Sequence, residues 1–358
     1  MLECPQWGES CRLRQSVTFP AWQPAKLTRT AGFGQKRPLE VQCLNQKMCS
    51  HHFSTLMCPA VSENEVNQSA TEEDCPFVSL VLRLLDYDGE DLFSNVLMPW
   101  VEARPGAVAW LASLRGRGCN AVPTVQPEDL CRLYALNRMC EMLMLSLETA
   151  ELQARTGGHL ALSMWQFEDF FSRLGIDAMR PKIFAPFHHE IVATFPASAP
   201  GQVPQILAWH WPCLMLGTLM IQRGGVTLSA GEEVLAPCIA DTSTLYWAYH
   251  RNSRPTHDLA HGWGSNSRWR TAFRRDYHLG DNYHFNVDGK CDLSFVVPGM
   301  LDESGLSKAE RIELLINRSF VTIPKEHTDL FPYGDRLSLM ASAPPSQSPP
   351  SLWRRLLG

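Results

Sequence analysis

The sequence predicts an α+β protein: an N-terminal helical region packed on a mostly antiparallel β-sheet or small barrel, with a flexible tail at each end. Three features predict it. Leu130, Leu133, Leu136, Cys140, Leu143, Leu147 and Ala150 recur at three- and four-residue steps, one apolar stripe of a helix facing a core. Beyond about Phe187 that period gives way to short runs rich in Val, Ile, Leu, Trp and Tyr, separated by turn residues. Both ends lack a sustained apolar period and are rich in Pro, Gln or Ser. The expected organisation is a disordered segment and acidic linker over 1–75, a helical region over 76–187, a β-rich domain over 188–340 and a disordered tail over 341–358.

The helical region is the clearer half. Phe77 to Leu85 is an apolar run that suits a helix or a strand. Leu92 to Val101 and Ala107 to Leu114 follow, split by Arg104-Pro105-Gly106. The main helix is predicted from Pro127 to about Arg155. Pro127 fits its first turn, Glu128 and Asp129 face the positive end of the dipole, and Gly157-Gly158 supplies a stop. Met139, Met142 and Met144 read as core filler. A shorter helix over Met164 to Leu174 carries Phe167, Phe170, Phe171 and Leu174.

Strands are predicted at Ile191 to Phe195, Gln205 to His210, Leu214 to Ile221, Val226 to Leu228, Glu233 to Pro237 and Thr244 to His250. Gly224-Gly225 reads as a hairpin turn. Asp292 to Val297 and Ser319 to Ile323 read as later strands. Between them Ser307-x-x-Glu310 opens a helix over Lys308 to Asn317 with a capping box. The tail ASAPPSQSPPS is expected to be extended, ahead of the terminal LWRRLLG.

Composition narrows the class. The chain has 358 residues, 45% of them apolar, and a net charge of −5, the profile of a soluble globular protein. Six of its twelve cysteines fall in the first 75 residues: Cys4, Cys11, Cys43, Cys49, Cys58 and Cys75. The N-terminus MLECPQWGES has no basic region followed by an apolar one, so the expectation is a cytoplasmic protein with reduced thiols. Val203 to Ile221 is uncharged over nineteen residues, long enough to span a bilayer. Pro204, Pro212 and His210 argue instead for buried strands separated at Trp211-Pro212.

The chemistry concentrates between Arg251 and Asn286, where six arginines and four histidines lie among aromatic rings and few aliphatic residues. Over Arg251 to His278 the six arginines face only Asp258 and Asp276. The island is thus +4 on a remainder of −9, a local field that attracts anions. Arg254, Arg268, Arg270, Arg274 and Arg275 are candidate grips for phosphate or carboxylate. Ser265 and Asn266 add donors in a glycine-rich turn, and Trp263 and Trp269 offer faces for stacking. The bland alternative pairs these arginines with Asp276, Asp281 and Asp288 on an ordered loop.

Two other functions fit the same segment. His257 and His261, four residues apart with Asp258 between them, are candidate ligands of a divalent metal. His250, His278, Asp281 or His284 would be a third, making a metal-dependent hydrolase. Tryptophans with arginines also suit a protein–protein interaction module. The sequence contains no phosphate-binding GxxxxGK[ST] loop and no GxSxG elbow. Cys213 and Cys238 read as inert core thiols. The reading that uses most of these residues is a protein that binds an anionic, phosphate- or carboxylate-bearing ligand through 251–286.

Overall fold

A computed structural model describes residues 76–117, 121–147, 160–236, 239–240, 271–303, 305–323 and 334–341. The chain divides into two units, Met1–Ala60 and Val61–Gly358, and every described residue belongs to the second.

Among the described residues the helices come first. Helix α1 (Pro76–Leu85) buries Phe77, Leu80, Val81 and Leu84, the i, i+3, i+4, i+7 set that decides helix over strand for this run. A single π turn at Phe93–Leu97 continues into α2 (Met98–Glu102). Helix α3 (Pro105–Arg115) starts on its proline, where the missing N–H costs nothing. Helix α4 (Pro127–Leu145) is the predicted main helix, with Pro127 in its first turn. It ends earlier than Arg155, because the Ser146 hydroxyl donates to the Leu143 carbonyl at 2.5 Å and the chain turns there. Gly157-Gly158 lies outside the described residues. Met139 and Met144 are buried in the core, as their position on the apolar stripe requires. Helix α5 (Met164–Arg173) is capped by Ser163, whose hydroxyl accepts from Gln166 N at 3.2 Å while the Gln166 side chain accepts from Ser163 N at 2.9 Å.

Strands follow: β1 (Asp177–Met179), β2 (His189–Pro196), β3 (Gln205–Trp211), β4 (Cys213–Leu216), β5 (Leu219–Gln222), β6 (Gly224–Ala230), β7 (Asp276–Leu279), β8 (Asn282–Phe285), β9 (Cys291–Asp292) and β10 (Asp335–Met340). Helix α6 (Lys308–Asn317) lies between β9 and β10, opened by the predicted Ser307/Glu310 capping box. One sheet has seven strands in the order β1-β4-β5-β7-β8-β10-β9; the other has three, β2-β6-β3. The pairings are antiparallel except β9 with β10 and β2 with β6. The class is α+β, as the sequence predicts.

The segment that resembled a membrane span is β3, β4 and β5. No helix among the described residues is long and apolar enough to cross a membrane. The run from Leu214 to Ile221 is two strands, not one. Gly217 adopts φ +60°, and a Cβ there would sit 2.7 Å from the Arg115 carbonyl oxygen. With that turn, β3-β4 and β5-β6 form one long bent hairpin. Its tip belongs to the large sheet and its base to the small one. The strands pass between sheets at Pro212 and at Arg223.

Several expected elements change for identifiable reasons. Gly224 and Gly225 are not a hairpin turn; they open β6 and pair with His189 and Glu190. Glycine is needed because a Cβ on Gly225 would lie 2.5 Å from the Trp211 ring. Glu233 to Ala236 is a turn, with Val234 N and Leu235 N donating back to the Gly231 carbonyl at 2.9 and 3.1 Å. Asp292 to Val297 is only the end of β9 and one 3-10 turn, since Asp292 Oδ1 takes the Ser294 N–H at 3.0 Å. Ser319 to Ile323 is not a strand. The buried Glu313 carboxylate accepts the N–H groups of Val321, Thr322 and Ile323 that a neighbouring strand would otherwise take. Strands β1, β7, β8 and β10 were not anticipated. The strand expected at Thr244 to His250, the expected disordered stretch 1–75 and the tail from Ser342 onward lie outside the described residues.

The core sits on both faces of the seven-stranded sheet. Leu214, Leu216, Leu219, Ile221, Tyr277 and Leu279 pack with Phe77, Leu136, Met139 and Phe171 of the helices. The alternate residues Cys213, Met215 and Met220 pack on the opposite face with Ile312, Leu315 and Ile316 of α6. The period of two along β4 thus feeds two cores, which is why its sequence reads as continuous apolar residues.

Candidate functional site

Arg223 occupies the point where the hairpin leaves the large sheet for the small one. Its neighbours Leu219–Gln222 and Gly224–Thr227 are buried strand residues, so its side chain is taken into the interior and is only 2% exposed. Three other elements deliver charge to the same place. Strand β7 begins with Asp276, which is fully buried, and Arg274 precedes it by two residues. Helix α6 ends on Arg318, held at φ 62°, a left-handed conformation that favours glycine. An arginine at that C-cap sends a guanidinium where glycine would send nothing.

Asp276 organises the centre. Its Oδ1 accepts from Arg274 Nε at 2.9 Å and from the Asn286 N–H at 2.7 Å. Its Oδ2 lies 3.6 Å from Arg223 Nη2 and 3.8 Å from Arg318 Nη2, inside ion-pair range but too long for hydrogen bonds. Oδ2 has no hydrogen-bond partner among the described residues, and neither has any of the three side-chain nitrogens of Arg223. Arg274 Nη2 donates to the Leu315 carbonyl at 2.7 Å, which ties β7 to α6.

Burial works against the Asp276 carboxylate, but Arg274, Arg318, Arg223 and the Asn286 N–H outweigh it and hold the carboxyl below its ordinary range. Arg223 goes the other way. Burial, then the like charges of Arg318 and Arg274, pull it well below the ordinary arginine value despite Asp276 and Glu190. Burial and Arg274 bring Arg318 down to about 10, against the attraction of Asp276, Glu190 and Glu141. Burial is thus the largest influence on both Arg223 and Arg318, ahead of any neighbouring charge.

A histidine-rich edge adjoins this centre. The His188 carbonyl accepts the Gly224 N–H at 2.8 Å, beside Arg223. Burial, then His189, His278 and Arg223, lower His188 to about 4, so its ring is neutral at physiological pH. His188 Nε2 is buried with no hydrogen-bond partner among the described residues. His189 is structural: Nδ1 accepts the Ala185 N–H at 2.9 Å, and Nε2 reaches the Pro181 carbonyl at 3.1 Å. His278 and Tyr283 stand beside His188, with ring centroids 5.6 and 5.5 Å from it, and Phe187 stacks on Tyr283 at 4.6 Å. His284 is outside this group, its Nδ1 meeting Ser338 Oγ at 2.8 Å.

Of the arginines singled out in the sequence, Arg274 belongs to the centre and Arg275 does not. Arg275 grips Asp288 with two hydrogen bonds, 2.8 and 2.6 Å, and donates to the Pro123 carbonyl at 2.7 Å. Successive residues entering β7 point to opposite sides, which separates them. Arg254, Arg268, Arg270, Trp263, Trp269, Ser265 and Asn266 lie outside the described residues, as do His257, His261 and Asp258. Among the described residues no three His, Cys, Asp or Glu side chains are grouped to hold a metal ion. Cys213 is buried, which pushes its thiol up to about 12 and makes it a core residue rather than a nucleophile.

Sequence reasoning missed Arg223, Arg318 and His188. Arg223 does carry a signal: one charge between two apolar strand runs must be buried, and a buried charge needs a partner. Arg318, just past a well-capped helix, carries almost none. Comparison with known proteins finds no matching family model, no matching curated protein and no matching solved structure.

Proposed function

We propose that the protein binds an anionic ligand bearing a phosphate or carboxylate group, and that the centre built by Arg223, Arg274, Arg318 and Asp276 receives that group. The observation that carries this reading is Arg223: a guanidinium 2% exposed, with no hydrogen bond from any of its three nitrogens among the described residues. Arginine does not shed its proton in proteins, so it cannot escape the penalty by becoming neutral. A buried guanidinium whose nitrogens make no hydrogen bond costs several kcal/mol, even with Asp276 in ion-pair range at 3.6 Å, unless something supplies acceptors. A carboxylate or phosphate supplies them, in a geometry that matches the guanidinium fork. In this reading Arg254, Arg268 and Arg270, with Ser265 and Asn266, contact the remaining polar groups of the ligand, while Trp263 and Trp269 stack on its body.

Thermal denaturation of the full chain tests it. Inorganic phosphate or a small dicarboxylate should raise Tm over sodium chloride of equal ionic strength. At about one hundred times Kd the gain is roughly 2.7 kcal/mol. Arg223→Gln should abolish the ligand-dependent rise. Equal curves in phosphate, dicarboxylate and chloride would dispose of the proposal. Arg268→Ala with Arg270→Ala should weaken binding of a larger anion, such as a nucleotide, while leaving binding of inorganic phosphate unchanged.

A further inference from the structure

We infer that this centre selects an oxyanion that still carries a proton at neutral pH, hydrogen phosphate, over one that carries none. This deepens the anion-binding reading and rests on it. The centre holds two opposite unmet demands. Arg223 presents three buried nitrogens that need acceptors. Asp276 Oδ2, fully buried in the same centre, needs a donor. It sits 3.6 Å from Arg223 Nη2, so one small ligand touching the guanidinium also meets the carboxylate.

A ligand with acceptors alone answers only half of this. Sulfate is fully deprotonated at neutral pH. Its oxygens would suit Arg223, but one of them would face Oδ2, lone pair against lone pair and negative charge against negative charge. Hydrogen phosphate is nearly the same size and shape. It turns unprotonated oxygens to the guanidinium groups and its O–H to Oδ2. A buried carboxylate that accepts from the ligand therefore converts a general anion site into one that reads protonation. A carboxylate ligand, ionised at neutral pH, brings no such donor and falls on the sulfate side.

Asp276 can play this part because it stays ionised. Arg274 and the Asn286 N–H occupy Oδ1, which leaves Oδ2 as the acceptor without a hydrogen bond among the described residues. The site rejects ligands lacking the donor because an acceptor left unpaired in a buried centre loses more than the bond itself is worth. His188, neutral beside Arg223, adds polarity without changing this charge count.

Titration calorimetry of the full chain at pH 7 and constant ionic strength is the test, with inorganic phosphate, sulfate and acetate as probes. Phosphate should bind at least tenfold tighter than sulfate or acetate, a difference of about 1.4 kcal/mol. Equal affinity for phosphate and sulfate overturns the selectivity while leaving anion binding intact. Binding of none of the three overturns both. Asp276→Asn, whose amide can turn a donor to the ligand, should bring sulfate up to the affinity of phosphate; unchanged discrimination in that variant overturns the role of Asp276. Should Asp276→Asn fail to fold, the wild-type affinity ratio decides alone.

Discussion

At Asp276 one carboxylate oxygen takes two N–H groups, and the other faces guanidinium groups at 3.6 and 3.8 Å. Removing it leaves three arginines crowded without their shared acid. Asp276→Ala should cost about 3–5 kcal/mol, read by chemical denaturation. Asp177→Ala is the control. It breaks an ion pair of similar length, 2.8 Å to Arg115, but with both side chains nearly half exposed, and should cost less than about 1 kcal/mol. Equal losses would show that burial does not set the value of these pairs. His188 gives a pH signature. Its folded value of about 4 lies below the ordinary 6.5, so between these values the unfolded chain binds the extra proton. Stability therefore falls as pH drops from 6.5 to 4, by up to about 3 kcal/mol from this residue. His189, His210, His278 and His284 are lowered too and add in the same direction. Asp276 works in a lower window: its contribution is complete above its ordinary 3.8 and is lost as pH falls through its still lower folded value. His188→Leu should flatten the decline between pH 6.5 and 4; a decline of unchanged depth would remove His188 as its main source.

Among the elements, the 319–323 segment shows where local sequence misleads. Ser-Phe-Val-Thr-Ile has the residues of a strand, yet the N–H groups of Val321, Thr322 and Ile323 go to one carboxylate on the preceding helix. Glu313→Ala should strip three N–H donors, one on buried Val321 and two on half-buried Thr322 and Ile323, of their acceptor. The segment should lose hydrogen-exchange protection at Val321, Thr322 and Ile323, at a cost of at least about 1–3 kcal/mol. Retained protection at these amides would mean another acceptor replaces the carboxylate. Helices α4, α5 and α6 are legible in the sequence because stripe, cap and proline act within a few residues of one another, whereas the α1 run suits a helix or a strand until its partners are known. Strands β7, β8 and β10 are not legible there. Each is only four to six residues long, and β7 and β8 are rich in polar and aromatic side chains. Their place in a sheet depends on partners elsewhere in the chain. The same holds for the centre: composition marks the arginines of the 251–286 segment, but Arg274 parts from Arg275 only through the alternation of a strand, and Arg223 and Arg318 join Arg274 only through the topology.

For the whole molecule, the apolar face of the helices and one face of the large sheet form a single cluster. Leu214 on β4 and Leu136 on α4 both belong to it and are fully buried. Leu214→Ala should therefore lower stability by about 2–5 kcal/mol. It should do so equally by far-ultraviolet signal, which follows helix, and by near-ultraviolet signal from the tryptophans. Two separated transitions would show that helices and sheet unfold independently. The long hairpin adds a mechanical constraint. Its two crossings between sheets, Pro212 and Arg223, are adjacent, and the Trp211 indole N–H donates to the Arg223 carbonyl at 2.9 Å. Any sliding of one sheet past the other would have to bend both legs at once. Proline fixes the backbone of one leg, and the Trp211 indole N–H holds the Arg223 carbonyl of the other, so this joint is a rivet rather than a hinge.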